Sequence, residues 1–465
     1  MKTSRNSAFG TTWLLLVAAG LLYYWAAPYL PAKLFAEKAT TSALQLVDST
    51  AIEALQDVDL AEADLSAEAK VTYSDSLYGL AFPDEEAKAY KGWQNLIPFY
   101  EALYQLEQDS TRQVRIAYFG DSMTDGDMIV QDIRAQFQDR FGGRGVGFVS
   151  VTSESAASRS SVQHKFSPNW HAYNVVKSKN AAYSFGVNGQ VAVFKDTVGK
   201  PWVKFQTGIG RHNKHLYQPT VYYGRTKKSA SVQFIVGKDT QRVALSGTQK
   251  LNHAQLGQHV YKGFTARFSG MDSIPVYGFT LDNGVGVQVD NFSQRGNSGI
   301  PLNKLNVALM NDFQQALDYK LIVLHYGANV LNYGTKDFNW YQKAMAKTIA
   351  QLQAAFPGAA ILVVSTADKG QKYEAHYQTD SAVVPLTLSQ RKLAISAQTG
   401  FINLYELMGG KGTMVNWVEA EQPLGTKDYT HLTYQGSRKV ASLLYGEMKA
   451  GYEHYKKLRH AAKLP

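Results

Sequence analysis

The spacing of apolar residues changes along this chain, and each change marks an element. Val114–Phe119 is a short apolar run ended by Gly120, the form of a buried strand. Ile129, Ile133, Phe137 and Phe141 then recur every four residues, as on one face of a helix. The same alternation returns after residue 300: helices over Leu302–Asp318, Tyr341–Phe356 and Gln435–Met448 alternate with strands in Tyr319–Gly327, Ala359–Ser365 and Gly400–Tyr405. Strands separated by helices predict a parallel sheet covered on both faces, the α/β class. Between these parts, from Phe166 to Val289, the period shortens. Runs such as Gln190–Lys195, Ser231–Gly237 and Tyr277–Asp290 alternate and are punctuated by Gly, Asn, Asp and Lys. They predict an antiparallel β-sandwich inserted within the α/β domain.

The N-terminus follows another pattern. Lys2 and Arg5 precede Ala8–Pro31, an uncharged apolar stretch long enough to span a bilayer, with Tyr23, Tyr24, Trp25 and Tyr29 where an interfacial aromatic belt would lie. Residues 1–35 therefore read as a transmembrane anchor in the cytoplasmic membrane, with the rest of the chain outside the cytoplasm. A cleaved signal peptide, giving a secreted protein, is the alternative, but Ala26 and Ala27 before Pro28 make a poor cleavage site. Ala36 to Asp84 is rich in Ala, Glu, Asp, Ser and Thr and reads as a stalk. Trp93, Ile97, Tyr100 and Leu103 then fall at helical spacing, with Pro98 starting or kinking that helix. The expected plan is an anchor over 1–35, a stalk and helical lead-in over 36–110, an α/β domain over 111–165 and 290–465, and the insert over 166–289.

Composition narrows the chemistry. The chain is 45% hydrophobic and 18% charged, as folded proteins are, and it contains no cysteine, which excludes thiol catalysis, thiolate metal sites and disulfides. The net charge is +10, yet Lys and Arg are scattered without a dense basic tract, so no nucleic-acid partner is expected.

In an open parallel sheet, ligands bind at the carboxyl ends of the strands. Ser122 lies at such a point, and the helix after it is expected to present unpaired N–H groups to a developing negative charge. A serine hydroxyl needs a base to become a nucleophile. Asp428 and His431 stand three apart before the last helix, a spacing at which the carboxylate can hold one imidazole nitrogen while the other faces the serine. The N–H groups of Ser122 and Gly296 and the side-chain amide of Asn329, at another strand end, could together bind an oxyanion.

Four blocks, the Gly-Asp-Ser of 120–122, the glycine within Ser293–Asn297, the Gly-Ala-Asn of 327–329 and the Asp-Tyr-Thr-His of 428–431, resemble in this order those of the SGNH/GDSL hydrolase family. The resemblance implies a flavodoxin-like three-layer αβα domain. Ser122 would be its nucleophile, His431 the base, Asp428 the support of the base, and Ser122, Gly296 and Asn329 the oxyanion donors, with no metal or organic cofactor. Gly120–Ile129, Phe141–Val149, Asn291–Gly299 and Leu404–Trp417 further resemble the bacterial peptidoglycan O-acetylesterases of the cell envelope. That narrower resemblance implies an O-acetylated glycan substrate, a periplasmic catalytic domain and a carbohydrate-binding-like, jelly-roll-like β module. An O-acetyltransferase using the same serine, and an inactive glycan-binding scaffold, are the rival readings.

Other residues carry weaker expectations. Asp121 should be tied into the serine's turn, while Asp125 or Asp127 caps the following helix, so paired-carboxylate glycosidase chemistry is disfavoured. The glycine-rich Gly142–Gly147 should line the site, with Arg144 a possible substrate contact. His325 should be packed and not a second base. His212 and His215 stand three apart without further metal ligands at hand. Trp202, Tyr217, Tyr222 and Tyr223 could either stack on sugar rings or fill the sandwich core.

Overall fold

Val114, Ile116 and Tyr118 on one side of the strand Gln113–Gly120 (β1), and Ala117 and Phe119 on the other, are all buried, so this strand needs cover on both faces. Strands Gly286–Asn291 (β2), Tyr319–His325 (β3), Ala360–Val364 (β4) and Gly400–Ile402 (β5) join it in the order 2-1-3-4-5, every pair parallel. Helices α1 (Ile97–Gln108), α2 (Val130–Phe141), α3 (Val307–Leu317), α4 (Asn339–Ala355), α5 (Val383–Ser396) and α6 (Tyr434–Ala461) complete the layers. α1, α2 and α6 share a core with Val114, Ile116 and Tyr118, and α3, α4 and α5 share one with Ala117 and Phe119.

This computed structural model describes residues 48–56, 70–73, 79–178, 181–195, 200–226 and 230–463. The expected anchor over 1–35 lies outside them. Among the described residues no helix is long and apolar enough to cross a membrane.

Helix α5 is absent from the sequence reading because buried Thr387, Ser389 and Gln390 interrupt its apolar pattern, while Pro385 sits in the first turn, where a missing N–H is tolerated. Pro98 begins α1 and does not kink it. Within the stretch expected to be a stalk, the described residues 48–56 differ from expectation. Ser49–Gln56 is helical, Ala51 is fully buried, and the buried Asp48 carboxylate accepts a 2.5 Å hydrogen bond from Ser298 Oγ, so this piece belongs to the α/β core.

The insert contains two antiparallel sheets. Strands 252–255, 220–223, 276–282, 190–194 and 170–174 form one, with 145–149 added against 276–282; 239–245, 230–236, 263–269, 202–207 and 162–166 form the other. Phe205 and Phe268 of the second sheet meet Phe279 of the first in a shared apolar core. Tyr217, Tyr222 and Tyr223 are buried, which removes them as sugar platforms, and Trp202 is half-buried.

Both borders of the insert depart from 166–289. It begins at Gly145 and ends at Asp282, because the next strand, β2, pairs in parallel with β1. Asn283-Gly284 carries the dipeptide of a tight hairpin, yet the strands on either side of it enter different sheets. A buried cluster makes the joint: Arg115 of β1 pairs with Asp282 at 2.7 Å and Asp290 of β2 at 2.9 Å, and Asp290 also accepts from Tyr319 Oη and the Phe148 N–H.

The glycine-rich loop serves this joint and not the site. Val287 N–H donates to Gly142 O and Asn283 N–H to Arg144 O, at the start of β2 beside Gln113. A Cβ on Gly145, whose φ is 99°, would collide with the Leu281 carbonyl. Arg144 thus lies at the amino end of the sheet, whereas Ser122 follows its carboxyl end, roughly 20 Å or more away at about 3.3 Å per strand residue. It does not line the crevice that holds Ser122, which is where the sequence reading puts it.

Two predictions follow from this architecture. Arg144→Ala, at an exposed side chain, should leave the unfolding free energy within about 0.5 kcal/mol of wild type in chemical denaturation. Asp127 is fully buried and bonded to Arg134 at 2.8 and 2.9 Å, so Asp127→Ala should lower the unfolding free energy by roughly 3–5 kcal/mol in chemical denaturation, through the uncompensated guanidinium it leaves. Burial pushes the Asp127 carboxyl up, but Arg134 and Arg159 outweigh it and hold the group well below the usual range. Its stabilisation is therefore full above a pH of about 4 and is lost only as pH falls through the depressed native value.

Candidate active site

In a sheet ordered 2-1-3-4-5, the chain leaves β1 and β3 toward opposite faces, which opens a crevice at their carboxyl ends. The segments after β1 and β3 carry Ser122 and Asn329. The turn after β1 is built by Asp121: its Oδ1 accepts the Met123 N–H at 2.9 Å, and its carbonyl accepts the N–H groups of Thr124 and Asp125. No hydrogen-bond partner for the Ser122 N–H is found among the described residues.

A regular helix does not follow Ser122 directly. Gly126, Asp127 and Ile129 all have positive φ, and α2 begins only at Val130 without a side-chain cap. The expected capping by Asp125 or Asp127 is thus replaced by ion pairs. Asp127 turns inward to Arg134, and Asp125 bonds Arg295 Nε at 2.6 Å and Ser155 Oγ at 2.8 Å. The Ser122 N–H is left free by the turn that Asp121 builds, not by the first turn of a regular helix.

His431 Nε2 lies 2.9 Å from Ser122 Oγ, and His431 Nδ1 lies 2.7 Å from Asp428 Oδ2. The other Asp428 oxygen accepts the N–H groups of Thr430 and His431 and the Thr426 hydroxyl. Burial pushes the Asp428 carboxyl up, but these hydrogen bonds, that of the His431 ring foremost, hold it well below the usual range. It is therefore an ionised acceptor, which places a proton on Nδ1 and leaves Nε2 to accept from the serine. The hydrogen bond to Asp428 is also the main cause that raises the His431 pKa above its ordinary 6.5, against partial burial and the charge of Arg295.

The segment after β2 closes the site's other side. Phe292 and Gln294 N–H groups donate to the carbonyls of Tyr118 and Gly120, and Ser293 Oγ is 2.7 Å from Thr124 Oγ1, so this loop is laced to the serine turn. Gly296 has φ 76°, a region that favours glycine, and its N–H also lacks a partner among the described residues. Asn329 is present but engaged: its amide donates to Asn297 O at 3.1 Å and, at 3.3 Å, to Asp121 Oδ2. An oxyanion would compete for the longer of these bonds. Burial pushes the Asp121 carboxyl up to about 6, while the Met123 N–H, His431 and Asn329 pull it down.

His325 is buried and hydrogen-bonded through Nδ1 with Tyr118 Oη at 2.8 Å, and burial pushes its pKa down to about 4, so it stays neutral and away from the serine. His212 is held by Asp139 at 2.7 Å, and no group of metal-ligating side chains occurs among the described residues. Arg295 and Asn297 sit in the same block as Gly296 yet escaped sequence reasoning, which weighed that block only for its glycine. Their positions show as site partners only once β1 and β2 are paired.

No family model and no curated protein matches this chain. Among solved structures, a peptidoglycan O-acetylesterase superposes with a TM-score of 0.63 at 21% identity, over 79% of this chain and 97% of that one. An acetyl xylan esterase matches at 22% identity over 34% of this chain and 80% of its own, with a TM-score of 0.28. A family two carbohydrate esterase from Cellvibrio japonicus matches at 9% identity over 63% and 98%, with a TM-score of 0.27. The last two superpose too loosely to bear on the fold. The first covers most of this chain, which is therefore similar in its α/β fold to a peptidoglycan O-acetylesterase and resembles the SGNH hydrolases in its four blocks.

Proposed function

We propose that this protein is a serine esterase that removes O-acetyl groups from a cell-envelope glycan, peptidoglycan foremost, through an acetyl-serine intermediate. The observation that carries this reading is the unbroken hydrogen-bonded series Asp428–His431–Ser122 beside two N–H groups without partners among the described residues. Ser122 Oγ attacks the acetyl carbonyl as its proton passes to His431 Nε2, and Asp428 stabilises the imidazolium. The carbonyl oxygen, now negative, sits between the Ser122 and Gly296 N–H groups and draws the Asn329 amide from Asp121. His431 then gives the proton to the departing sugar oxygen. Water, deprotonated by the same histidine, releases acetate and restores the serine.

Support for a glycan comes from the similar solved structure, a peptidoglycan O-acetylesterase, and from the wall beside the crevice. There the insert brings Tyr173, Asn174 and Lys177 next to Ser293, Gln294 and Arg295, so a polymer at the serine would meet both parts of the chain. The insert's role is then to bind sugar. The N-terminal stretch would hold the enzyme at the outer face of the cytoplasmic membrane, where such a polymer lies.

Acetate release from O-acetylated peptidoglycan tests the reading. Ser122→Ala should lose roughly 10⁴-fold or more in turnover, with the melting temperature unchanged. Turnover requires neutral His431, so it should rise with pH through a midpoint above 6.5. Asp428→Asn should reduce turnover by about 10⁴-fold and move that midpoint down, because the ionised acceptor that raises the histidine is gone. Comparable acetate release by Ser122→Ala and wild type would end the proposal.

A further inference from the structure

Between β4 and α5 the chain makes an excursion that the chemistry above does not use: the hairpin of Gly370–Tyr373 and His376–Thr379, at the same end of the sheet as Ser122. It meets the loop that carries Asp428 and His431 at Tyr429, while Lys369 at its base also lies near Asp428 and Thr430. The Tyr377 ring stacks flat on the Tyr429 ring, centroids 3.6 Å apart and planes 5° from parallel. Gly370 N–H donates to Tyr429 O at 2.8 Å, and a Cβ on Gly370 would stand 2.9 Å from Tyr429 Cβ, so the two backbones touch.

Tyr429 has φ 55°, a left-handed conformation that is costly for a bulky side chain and persists only where surroundings enforce it. That conformation reverses the chain between Asp428 and His431, so that one Asp428 oxygen takes the Thr430 and His431 N–H groups and the other faces the imidazole. The base of the hairpin has a second hold: Lys369 Nζ donates to Asn332 Oδ1 at 2.7 Å, within the turn that follows Asn329.

We infer that this hairpin is a clamp on the base loop and that Tyr377 is a positioning residue, holding Tyr429 in its left-handed conformation and thereby Asp428 against His431. The inference rests on the proposed role of His431 as base. Neither tyrosine hydrogen-bonds Ser122 or His431 among the described residues. Their effect passes through the Asp428 carboxylate.

The test uses the full-length chain with Tyr377→Ala, Tyr377→Phe, Tyr429→Ala and the double alanine variant. The groups acting on His431 are Asp428, Asp121 and Arg295, and only the first lies in the clamped loop. Loss of the stack should lower kcat on an activated acetyl ester by on the order of tenfold, the most one aromatic pair accounts for, with KM within twofold. The His431 titration, followed by NMR, should move down toward 6.5. Tyr377→Phe keeps the ring and should behave as wild type, and the double variant should be no worse than either single one. If Tyr377→Ala fails to fold, Tyr377→Leu keeps the apolar cover without the flat stack and takes its place. Unchanged kcat and titration would overturn the clamp, as would a rise in KM alone, which marks a substrate contact. The NMR titration reads the clamp even in a protein without esterase activity, whereas equal activity of Ser122→Ala and wild type would overturn the esterase reading and leave the titration to decide the clamp.

Discussion

A 2.9 Å hydrogen bond between His431 Nε2 and Ser122 Oγ joins groups 309 residues apart in the chain. Nothing local to either residue could create it. It exists because β1 lies beside β3 in a parallel sheet and because α6 returns across the face shared with α1 and α2, setting the loop before α6 over the end of β1. Burying both faces of the sheet supplies the stability, and the order of the strands supplies the place. The polar groups at the crevice are then fixed one by one by hydrogen bonds to the ends of the strands.

The sheet also carries the insert without disturbing this crevice. The insert enters and leaves at the amino end of β1 and β2, where Arg115, Asp282, Asp290 and Tyr319 form a buried polar joint. Such a joint is costly unless every partner is in place, and for that reason it specifies register more than it adds stability. The edge of the insert bearing Tyr173, Asn174 and Lys177 reaches the serine's end of the molecule, as does Ser155 through its bond to Asp125. The buried joint and the Asp428–His431–Ser122 hydrogen bonds are thus held at opposite ends of the same strands.

Three of the nine residues other than glycine with positive φ among the described residues flank Ser122 or His431. Asp127, Ile129 and Tyr429 adopt positive φ without being glycine, two of them after Ser122 and one between Asp428 and His431. Each is enforced by contacts outside its own turn: the Arg134 and Arg159 pairs for Asp127, burial in the core for Ile129, the stacked ring for Tyr429. These contacts give the loops one conformation, which a proton transfer over hydrogen-bond distance requires.

The alternation of strand and helix, the α/β class and the residues Ser122, Gly296, Asn329, Asp428 and His431 were all legible from the sequence, because period and motif are local properties. The border of the insert was not. Gly286–Asn291 alternates like the strands before it and follows a hairpin dipeptide, and its transfer to the parallel sheet is decided by Arg115 and β1, far away in sequence. Arg144 looked like a site residue from its glycine-rich loop, and only the direction of β1 places it at the wrong end. The burial of Tyr222 and Tyr223, the inward turn of Asp127 and the stacking of Tyr377 on Tyr429 likewise depend on which surfaces meet. Chemistry was written in residue types at strand ends, and the tertiary structure decided which of those ends share one crevice.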